Sequence, residues 1–305
     1  MTRTADLFAG VGGFTAGAEE AGCEVVWAGN HWPLAVAIHQ ANHPNTQHLC
    51  QDLHQADWTR VPPFDLMLAA PACTGHTPAR GKDRPHHDAA RSTAWAVVSA
   101  LECHRPDAAL IENVPAFTRW QLFPAWCSAL TALGYAISPH LIDAADLGVP
   151  QHRQRVLIAL TKSKHPIELK LERRQHVPAS SFIDIASGRW SPVQRPGRST
   201  ATLERIAAGR KSFGDRFLIP YYGSGSGKTG RSLDRPIGTI TTRDRWAIID
   251  GDRMRMIDIR EAKAAMSFRP SYQLPASKPD AMMMLGNAIC PEMGRAAIVA
   301  LKAAA

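Results

Sequence analysis

The 305-residue sequence has few cysteines, and none of its apolar segments is long enough to cross a membrane. The six cysteines include no Cys-x-x-Cys pair, which argues against a zinc site and against a small disulfide-stabilised fold. No segment approaches the roughly 20 consecutive apolar residues of a transmembrane helix, and the first residues lack the apolar stretch of a signal peptide. We therefore expect a reduced, soluble, cytoplasmic protein without a metal site or a membrane partner.

The positive charge of the sequence is concentrated in one segment. The formal net charge is +8, and residues 162–245 contain 17 Lys and Arg against 7 Asp and Glu. The remaining residues contain 18 basic side chains against 20 acidic ones, so the whole basic excess lies in about a quarter of the chain. Such a segment is either an ordinary solvated surface or a surface for phosphate groups, where each Lys or Arg displaces condensed counterions.

Short apolar segments alternate with helical patterns over the first 160 residues. Strands are predicted near 5–9, 24–28, 64–69, 108–111 and 155–160, with helices ending near residue 20 and spanning 34–42. This alternation predicts an α/β fold with a largely parallel sheet covered on both faces. Residues 161 to about 250 are rich in Arg, Ser, Gly and Pro and predict a second, irregular domain. Helical patterns return near 259–268 and 291–304.

Two glycine-rich segments resemble nucleotide-binding loops without matching their patterns. The first, residues 6–14, is a strand that leads into a glycine turn and a helix, and such a turn lets backbone approach a ligand. It lacks the third glycine of the dinucleotide-binding pattern, because Thr15 occupies that position. The second, residues 223–229, lacks the first glycine of a P-loop, because Tyr222 stands there. We interpret it as a loop near nucleic acid.

Reactive and charged side chains lie directly after two of the predicted strands and directly before a third. Cys73 and Glu112 each follow a buried strand, at the sheet edge where α/β proteins bind ligands. Gln151, Arg153 and Arg155 alternate just before another strand and therefore project to one side. A cysteine at this edge is either an inert buried thiol or a nucleophile. A cysteine, a glutamate and two arginines that converge are difficult to explain as packing.

Taken in order, these segments resemble the motifs of the DNA cytosine-5 methyltransferase family. The similarity extends over nearly the whole chain, and only the basic segment lies outside it. In that family a variable target-recognition region lies between the arginine motif and the final motifs, which is where the basic excess lies. The matching segments are 6–13, 71–75, 112–114, 151–155, 260–262 with 267–268, and 285–291.

The resemblance implies the fold class and the domain boundaries. We expect an α/β, Rossmann-like methyltransferase domain with a mostly parallel sheet, together with a small irregular target-recognition domain. Residues 1–162 would form the catalytic and cofactor-binding domain, which residues 282–305 complete. Residues 163–281 would form the small basic domain.

The resemblance also implies a mechanism that uses S-adenosyl-L-methionine. Cys73 as a thiolate would attack carbon 6 of a flipped cytosine, and Glu112 would protonate or hydrogen-bond ring N3. Carbon 5 would then take the methyl group, and loss of its proton would expel Cys73. Arg153 and Arg155 would position and stabilise the flipped base and its backbone. The base must leave the duplex because these groups cannot reach it there.

The residues expected around the cofactor lie in several segments. The first glycine turn would hold the methionine portion, Asp52 would contact the adenine amino group, and Asn287 would close the pocket. The predicted cofactor-binding residues are Phe8, Gly10, Gly12, Gly13, Asn30, His31, Trp32, Asp52, Leu53, Pro71 and Asn287.

Two positions depart from the family pattern. Asn30 stands where an acidic residue usually binds both ribose hydroxyls, and an amide lacks the charge assistance of a carboxylate. We therefore expect modest cofactor affinity. Ala72 replaces the proline that usually precedes the nucleophile, which leaves its loop less rigid. An alternative is that the altered pocket accepts a modified S-adenosylmethionine and the enzyme transfers a larger group.

Double-stranded DNA is the expected partner of a monomeric enzyme at the nucleoid. A catalytically silent DNA-binding relative and an RNA methyltransferase are the alternatives, and the retained cysteine, glutamate and arginines argue against the silent relative. A cognate restriction endonuclease is compatible with the resemblance, as are a phage origin and a solitary enzyme. The target sequence stays open, because base reading depends on geometry. The candidate DNA-binding residues are Arg189, Arg195, Arg198, Lys228, Arg231, Arg243 and Arg245.

Overall fold

The structure, a computed structural model, describes residues 1–72, 85–221 and 230–304, and for residues 85–90 the backbone alone. Two predicted site residues, Cys73 and Lys228, lie outside the described residues, as does the glycine-rich segment 223–229.

Seven strands form a mostly parallel sheet, as the alternating pattern predicts. In chain order they are β1 (Thr2–Leu7), β2 (Cys23–Asn30), β3 (Gln47–Cys50), β4 (Leu66–Ala69), β5 (Ala108–Asn113), β6 (Ala136–Asp143) and β7 (Gln154–Thr161). Across the sheet the order is β3-β2-β1-β4-β5-β7-β6. Strand β7 runs antiparallel to β5 and β6, and the other neighbouring strands are parallel. The fold is α/β and Rossmann-like.

Each face of this sheet carries its own hydrophobic core, because successive side chains of a strand project to opposite faces. On β4, Leu66 and Leu68 belong to the first core, whereas Met67 and Ala69 belong to the second. Helices cover both faces. The first core includes residues of α1 (Gly13–Glu20) and α2 (Pro33–Asn42), and the second includes residues of α3 (Pro85–His104) and α4 (Phe123–Ala132).

The basic segment contains more regular structure than its composition predicts. A four-stranded antiparallel sheet has the order β8-β11-β10-β9. Its strands are β8 (Ser191–Pro192), β9 (Arg216–Pro220), β10 (Trp246–Asp250) and β11 (Arg253–Met256), and the helix α5 spans Thr200–Phe213. Ile206 of α5 packs with Phe217 and Ile249 in a third core, while Leu218 and Ile248 on the opposite face join the first core. The two sheets are therefore joined by continuous packing.

The chain returns to the large sheet before residue 282. Three helices follow the small sheet: α6 (Ile259–Ala265), α7 (Lys278–Asn287) and α8 (Pro291–Ala304). Between α6 and α7, the Tyr272 hydroxyl donates to the carbonyl oxygen of Val11 at 2.6 Å. Helix α8 packs directly on α1, where a Cβ atom at Gly17 would lie 2.5 Å from the carbonyl oxygen of Pro291. The C-terminal helices thus complete the first core.

Candidate active site

Several of the predicted site residues lie at one edge of the large sheet, where its parallel strands end. In register, Leu7 at the end of β1 lies between Gly29 of β2 and Ala69 of β4, and Ala69 pairs with Ile111 of β5. The segments that follow these positions carry the glycine turn, Asn30 to Trp32, Pro71 and Glu112. Ligands of open α/β sheets bind at this edge.

Glu112 and Arg155 form a nearly buried ion pair at this edge. The Nε atom of Arg155 lies 2.7 Å from the Oε1 atom of Glu112, and the two side chains are 11% and 8% exposed. The strands β5 and β7 pair with Glu112 opposite Leu157, so Arg155, two residues earlier, projects to the same face as Glu112. A charge-assisted contact of this kind holds both groups in one arrangement. The structure thus brings together two of the four predicted catalytic residues.

Asn113 fixes the backbone at Pro71, two residues before Cys73. Its Nδ2 group donates to the carbonyl oxygen of Pro71 at 3.0 Å, and its Oδ1 atom accepts from the amide of Val114 at 2.9 Å. The amide of Ala72 donates to the Thr93 hydroxyl at 3.0 Å. Asn113 is fully buried, so both polar groups of its side chain are used inside the protein. The backbone is therefore fixed up to the residue before Cys73.

Arg153 faces the interior of the protein, and only 1% of it is exposed. Its guanidinium donates to the carbonyl oxygens of Ile240, Gly286 and Ala288 at 2.9, 2.7 and 2.8 Å. A guanidinium has only N–H donors, and here they bind two distant segments of the chain. The sequence predicts contact between Arg153 and a flipped base, but the structure shows a residue that holds protein segments together.

The first glycine turn contains one open position and two packed ones. Phe8, Gly10 and Gly12 all have positive φ angles, of 60°, 56° and 95°, which is uncommon for Phe8 because a side chain disfavours this conformation. A Cβ atom at Gly10 would meet only the carbonyl oxygen of Phe8, at 3.9 Å. A Cβ atom at Gly12 would lie 2.5 Å from the Tyr272 hydroxyl. Gly10 therefore leaves room for a ligand, whereas Gly12 makes room for protein.

Gly13 is also required by packing, because a Cβ atom there would overlap the carbonyl oxygen of Ile289. At the other end of the predicted pocket, Asn287 is exposed at the last turn of α7.

The residues predicted around the ribose and adenine lie at the ends of β2 and β3. The Oδ1 atom of Asn30 accepts from the amide of Trp32 at 2.9 Å, so its Nδ2 group is left as the donor toward a ligand. Trp32 packs on the first core and His31 is exposed. The backbone of Asn30 accepts from the amide of Gln51 at 3.1 Å, which brings the next residue, Asp52, to the same edge.

Asp52 and Leu53 form a small capped turn. The Oδ1 atom of Asp52 accepts from the amide of His54 at 3.1 Å and lies 2.9 Å from its Nδ1 atom. These hydrogen bonds from His54 lower the pKa of Asp52, so it is a carboxylate acceptor. Leu53 is buried and lies behind Gly29, where its Cδ2 atom would be 3.0 Å from an added Cβ.

A buried polar network behind the glycine turn is absent from the sequence-based predictions. The Oδ2 atom of Asp6 accepts from the amide of Thr15 at 3.1 Å and from its hydroxyl at 2.8 Å. The Thr15 hydroxyl lies 3.1 Å from Nε2 of His39, whose Nδ1 lies 2.8 Å from Nε2 of His48. Burial raises the pKa of Asp6 to about 7, although the Thr15 hydrogen bonds oppose it. Burial, with His43 and His48 nearby, lowers the pKa of His39 well below its usual range.

A second branch of this network supports the turn itself. The Nε2 atom of His43 lies 2.8 Å from the Tyr272 hydroxyl, and its Nδ1 atom lies 2.9 Å from the Oε1 atom of Glu19. Because Tyr272 also donates to Val11, the conformation of the turn depends on His43, directly after α2, and on the segment after α6. These contacts join residues distant in sequence, and the local pattern carries no signal for them.

The candidate DNA-binding arginines fall into two groups. Arg198 is half-buried and donates to the carbonyl oxygens of Val193 and Pro192 at 3.2 and 3.0 Å. Arg245, also half-buried, donates to the carbonyl oxygen of Tyr221 at 3.0 Å. Both stabilise the small sheet. The exposed candidates are Arg189, Arg195, Arg231 and Arg243.

Neither a membrane-spanning helix nor a metal-binding cluster is found in residues 1–72, 85–221 and 230–304. No helix there has both the length and the apolar character that a membrane span requires. No group of three or more His, Cys, Asp or Glu side chains there is placed to hold a metal ion.

Comparison with known proteins identifies relatives along the full chain. The sequence is 26% identical over 322 aligned positions to the type II methyltransferase M.NlaX of Neisseria lactamica, covering 100% of this chain and 97% of that protein. A DNA modification methyltransferase encoded within an E. coli prophage has a similar structure, with a TM-score of 0.72 at 18% identity, covering 100% of this chain and 99% of the other. DNMT2 of Spodoptera frugiperda has a TM-score of 0.74 at 17% identity, covering 99% and 100%. Residues 2–303 match the C-5 cytosine-specific DNA methylase family, and the chain therefore belongs to that family.

Proposed function

We propose that this protein transfers a methyl group from S-adenosyl-L-methionine to carbon 5 of a flipped cytosine in DNA, with Cys73 as the nucleophile. The Glu112–Arg155 pair is the observation that carries this proposal. It lies at the ligand-binding edge of the sheet, beside Asn113, which fixes the backbone that leads into Cys73. An acid and a cation with a fixed mutual orientation, close to the backbone that precedes Cys73, suit the activation of an electron-poor ring.

Each of these residues has a distinct task in the proposed reaction. The Cys73 thiolate forms a bond to carbon 6, and the electron pair of the 5,6 double bond moves toward carbon 5 and ring N3. Glu112 donates a proton or a hydrogen bond to N3, which offsets the developing negative charge. Arg155 holds the Glu112 carboxyl group against that ring edge. Carbon 5 then takes the methyl group, which leaves S-adenosylhomocysteine, and loses its own proton to a base. The returning electron pair expels the thiolate, and N3 returns to Glu112 any proton that it took.

The residues at the sheet edge fit S-adenosyl-L-methionine, which supplies an electrophilic methyl group when bound. Gly10 leaves space for a ligand close to the backbone, and Asp52 presents a carboxylate acceptor for an amino group. Asn30 offers an amide donor to the ribose but lacks a second acceptor, since its oxygen binds the Trp32 amide. The same pocket would accept a modified donor only if its larger group fits beside Pro71 and Glu112.

DNA is the substrate that the charge distribution favours. The exposed arginines of the basic segment form a surface for phosphates, and we place the monomeric enzyme where the DNA is, at the nucleoid in the cytoplasm. The type II name of the Neisseria relative supports a restriction endonuclease of the same specificity as its partner in the cell.

Nucleoside mass spectrometry tests the reaction. Wild type and Cys73→Ala are incubated with S-adenosyl-L-methionine and either unmodified duplex DNA or total RNA, and the nucleic acid is digested. We expect 5-methyldeoxycytidine from DNA with wild type and none with Cys73→Ala. Product from RNA alone would overturn the DNA assignment, and product with Cys73→Ala would overturn the nucleophile.

A trapping experiment tests the covalent step separately. Duplex DNA with 5-fluorocytosine cannot complete the reaction, because fluorine at carbon 5 cannot leave as a cation. We expect a protein–DNA adduct that survives denaturing electrophoresis with wild type and is absent with Cys73→Ser. Absence of the adduct in wild type that methylates normal DNA would contradict covalent catalysis.

A further inference from the structure

Two buried side chains next to β7 hold together three segments that are far apart in the sequence. Gln151 and Arg153 are 0% and 1% exposed. They precede Arg155, which pairs with Glu112, by four and two residues. Their partners belong to the segment before β10, the end of α6, and the end of α7.

The first segment leads into the small sheet, and both backbone polar groups of its residue Ile240 are hydrogen-bonded. The amide of Ile240 donates to Oε1 of Gln151 at 2.7 Å, and its carbonyl oxygen accepts from Nη1 of Arg153 at 2.9 Å. The preceding residue adds to this contact, because the Thr239 hydroxyl donates to the carbonyl oxygen of His152 at 2.8 Å. The segment that leads into β10 is therefore fixed to the residues that directly precede β7.

The second segment is the end of α7, around the predicted cofactor residue Asn287. The Nη2 group of Arg153 donates to the carbonyl oxygens of Gly286 and Ala288, at 2.7 and 2.8 Å. These carbonyls flank Asn287, an exposed residue that the family resemblance places at the cofactor. The two segments also touch directly, because a Cβ atom at Gly286 would overlap the amide nitrogen of Thr242.

One guanidinium thus binds at the same time the segment that leads into the small sheet, where the proposed function places DNA, and the segment around Asn287, where it places the cofactor. Its donors form a rigid planar fork, so displacement of either segment weakens the hydrogen bonds to the other. We propose that Arg153 is a positioning residue through which the binding of cofactor and the binding of DNA strengthen each other. This inference rests on the proposed function, since it assumes DNA and S-adenosyl-L-methionine as the two ligands.

The coupling is measured with S-adenosylhomocysteine, which occupies the cofactor site without donating a methyl group. Its Kd is determined by calorimetry with and without the saturating duplex of the methylation assay, for wild type and Arg153→Lys. Lysine keeps the charge but loses the fork. We expect about tenfold tighter binding with DNA in wild type, within the usual range of coupling, and a ratio near one in Arg153→Lys.

A matched variant separates coupling from general destabilisation. Arg255 is another buried arginine, which binds Glu261 and the carbonyl oxygen of Asp184 and holds neither of the two segments. We expect Arg255→Lys to lower stability while it keeps the wild-type ratio. If Arg153→Lys does not fold, Thr239→Val, which removes the hydrogen bond to His152, replaces it and is expected to reduce the ratio at least twofold.

Each outcome distinguishes this inference from the function on which it rests. The DNA affinity measured with and without S-adenosylhomocysteine must change by the same factor, because coupling is reciprocal. A ratio of one in wild type that binds both ligands, or the wild-type ratio in folded Arg153→Lys, overturns the role of Arg153 and leaves the proposed function intact. Failure of wild type to bind duplex DNA overturns the proposed function and this inference together.

Discussion

Glu112 and Arg155 approach to 2.7 Å across two antiparallel strands, with both side chains almost closed to solvent. The backbone beside the pair is held on both strands. Asn113, which follows Glu112, donates to the carbonyl oxygen of Pro71, and Arg153, which precedes Arg155, binds the two segments beyond the sheet. These contacts fix the backbone next to both charged residues.

Because Glu112 and Arg155 act as one unit, their replacements should not be additive. We expect Glu112→Gln and Arg155→Met each to reduce kcat/KM by about 10²-fold or more, typical of a lost acid. The double variant should be little worse than the poorer single variant, a coupling between contacting residues. Steady-state kinetics of all four proteins measures this coupling. Strictly multiplicative losses would show that the residues act independently.

Replacement of Asn30 by aspartate should improve cofactor binding. One oxygen of the introduced carboxylate can keep the hydrogen bond from Trp32, while the second accepts from a ribose hydroxyl. Charge-assisted hydrogen bonds are roughly twice as strong as neutral ones, so we expect Asn30→Asp to lower the Kd for S-adenosylhomocysteine about fivefold. Asn45→Asp, which adds the same charge at an exposed position, is the control. Calorimetry that finds unchanged or weaker binding would refute this.

Asp6 makes part of the stability depend on pH. Burial raises its pKa from 3.8 to about 7, so the folded protein holds this proton more tightly than the unfolded chain does. The resulting stabilisation is complete below about pH 4 and is lost as the pH rises to about 7, at up to about 1.4 kcal/mol per unit.

Asp6→Asn cannot titrate at this position and therefore serves as the reference. Urea denaturation between about pH 4.5 and 8 should show wild type losing stability relative to Asp6→Asn as the pH rises. His39 is present in both proteins, so its own titration cancels in the difference. A difference in the free energy of unfolding that stays constant with pH would contradict the assignment.

A methyl group at Gly13 should destabilise the protein. The Cβ atom would overlap the carbonyl oxygen of Ile289, and backbone cannot move aside as a flexible side chain can. We expect Gly13→Ala to lower the free energy of unfolding by about 1–3 kcal/mol. In Gly294→Ala the new atom lies 3.2 Å from the Phe14 ring, and the gain in helix propensity of about 1 kcal/mol offsets this contact. Comparable losses in both variants would contradict this account.

The exposed and the half-buried arginines of the basic segment should respond differently to removal. We expect Arg195→Ala and Arg243→Ala each to reduce the slope of log K for DNA against log salt by about 0.9. Arg198→Ala should lower the melting temperature, because it removes hydrogen bonds to Val193 and Pro192. Fluorescence anisotropy over a series of salt concentrations and thermal unfolding measure the two effects. An unchanged salt slope for both exposed variants would place the DNA elsewhere.

Five of the seven strands of the large sheet (β1, β2, β4, β5 and β7) are predictable from sequence because each contains a short apolar segment, whereas β3 and β6 are absent from the sequence-based predictions. The end of β5 illustrates this: Leu110 and Ile111 are fully buried, and Glu112 follows at the sheet edge where the pattern places it. Helix α5 is not predictable in the same way. Its buried positions are only Thr202, Ile206 and Gly209, too small an apolar stripe to produce a clear period, although Ser199 caps its N-terminus.

A site residue is predictable from sequence only where its role depends on its position within a strand or turn, and not on contacts with distant segments. Alternation places Arg155 on the face of Glu112, but nothing local distinguishes it from Arg153, whose partners lie 87 to 135 residues away. The same holds for Asp6 and His39, which meet through Thr15. Burial of charged groups by distant segments is a tertiary property, and a single sequence does not display it.

The packing of α8 on α1 has a consequence for biosynthesis. Gly17 and Arg295, whose backbones are in close contact, are separated by about 280 residues, which a ribosome translating roughly 5–20 residues per second needs about 14–56 s to add. Throughout that interval the side of α1 that packs on α8 lacks this cover. A growing chain can therefore complete the packing around its glycine turn only after α8 has been synthesised.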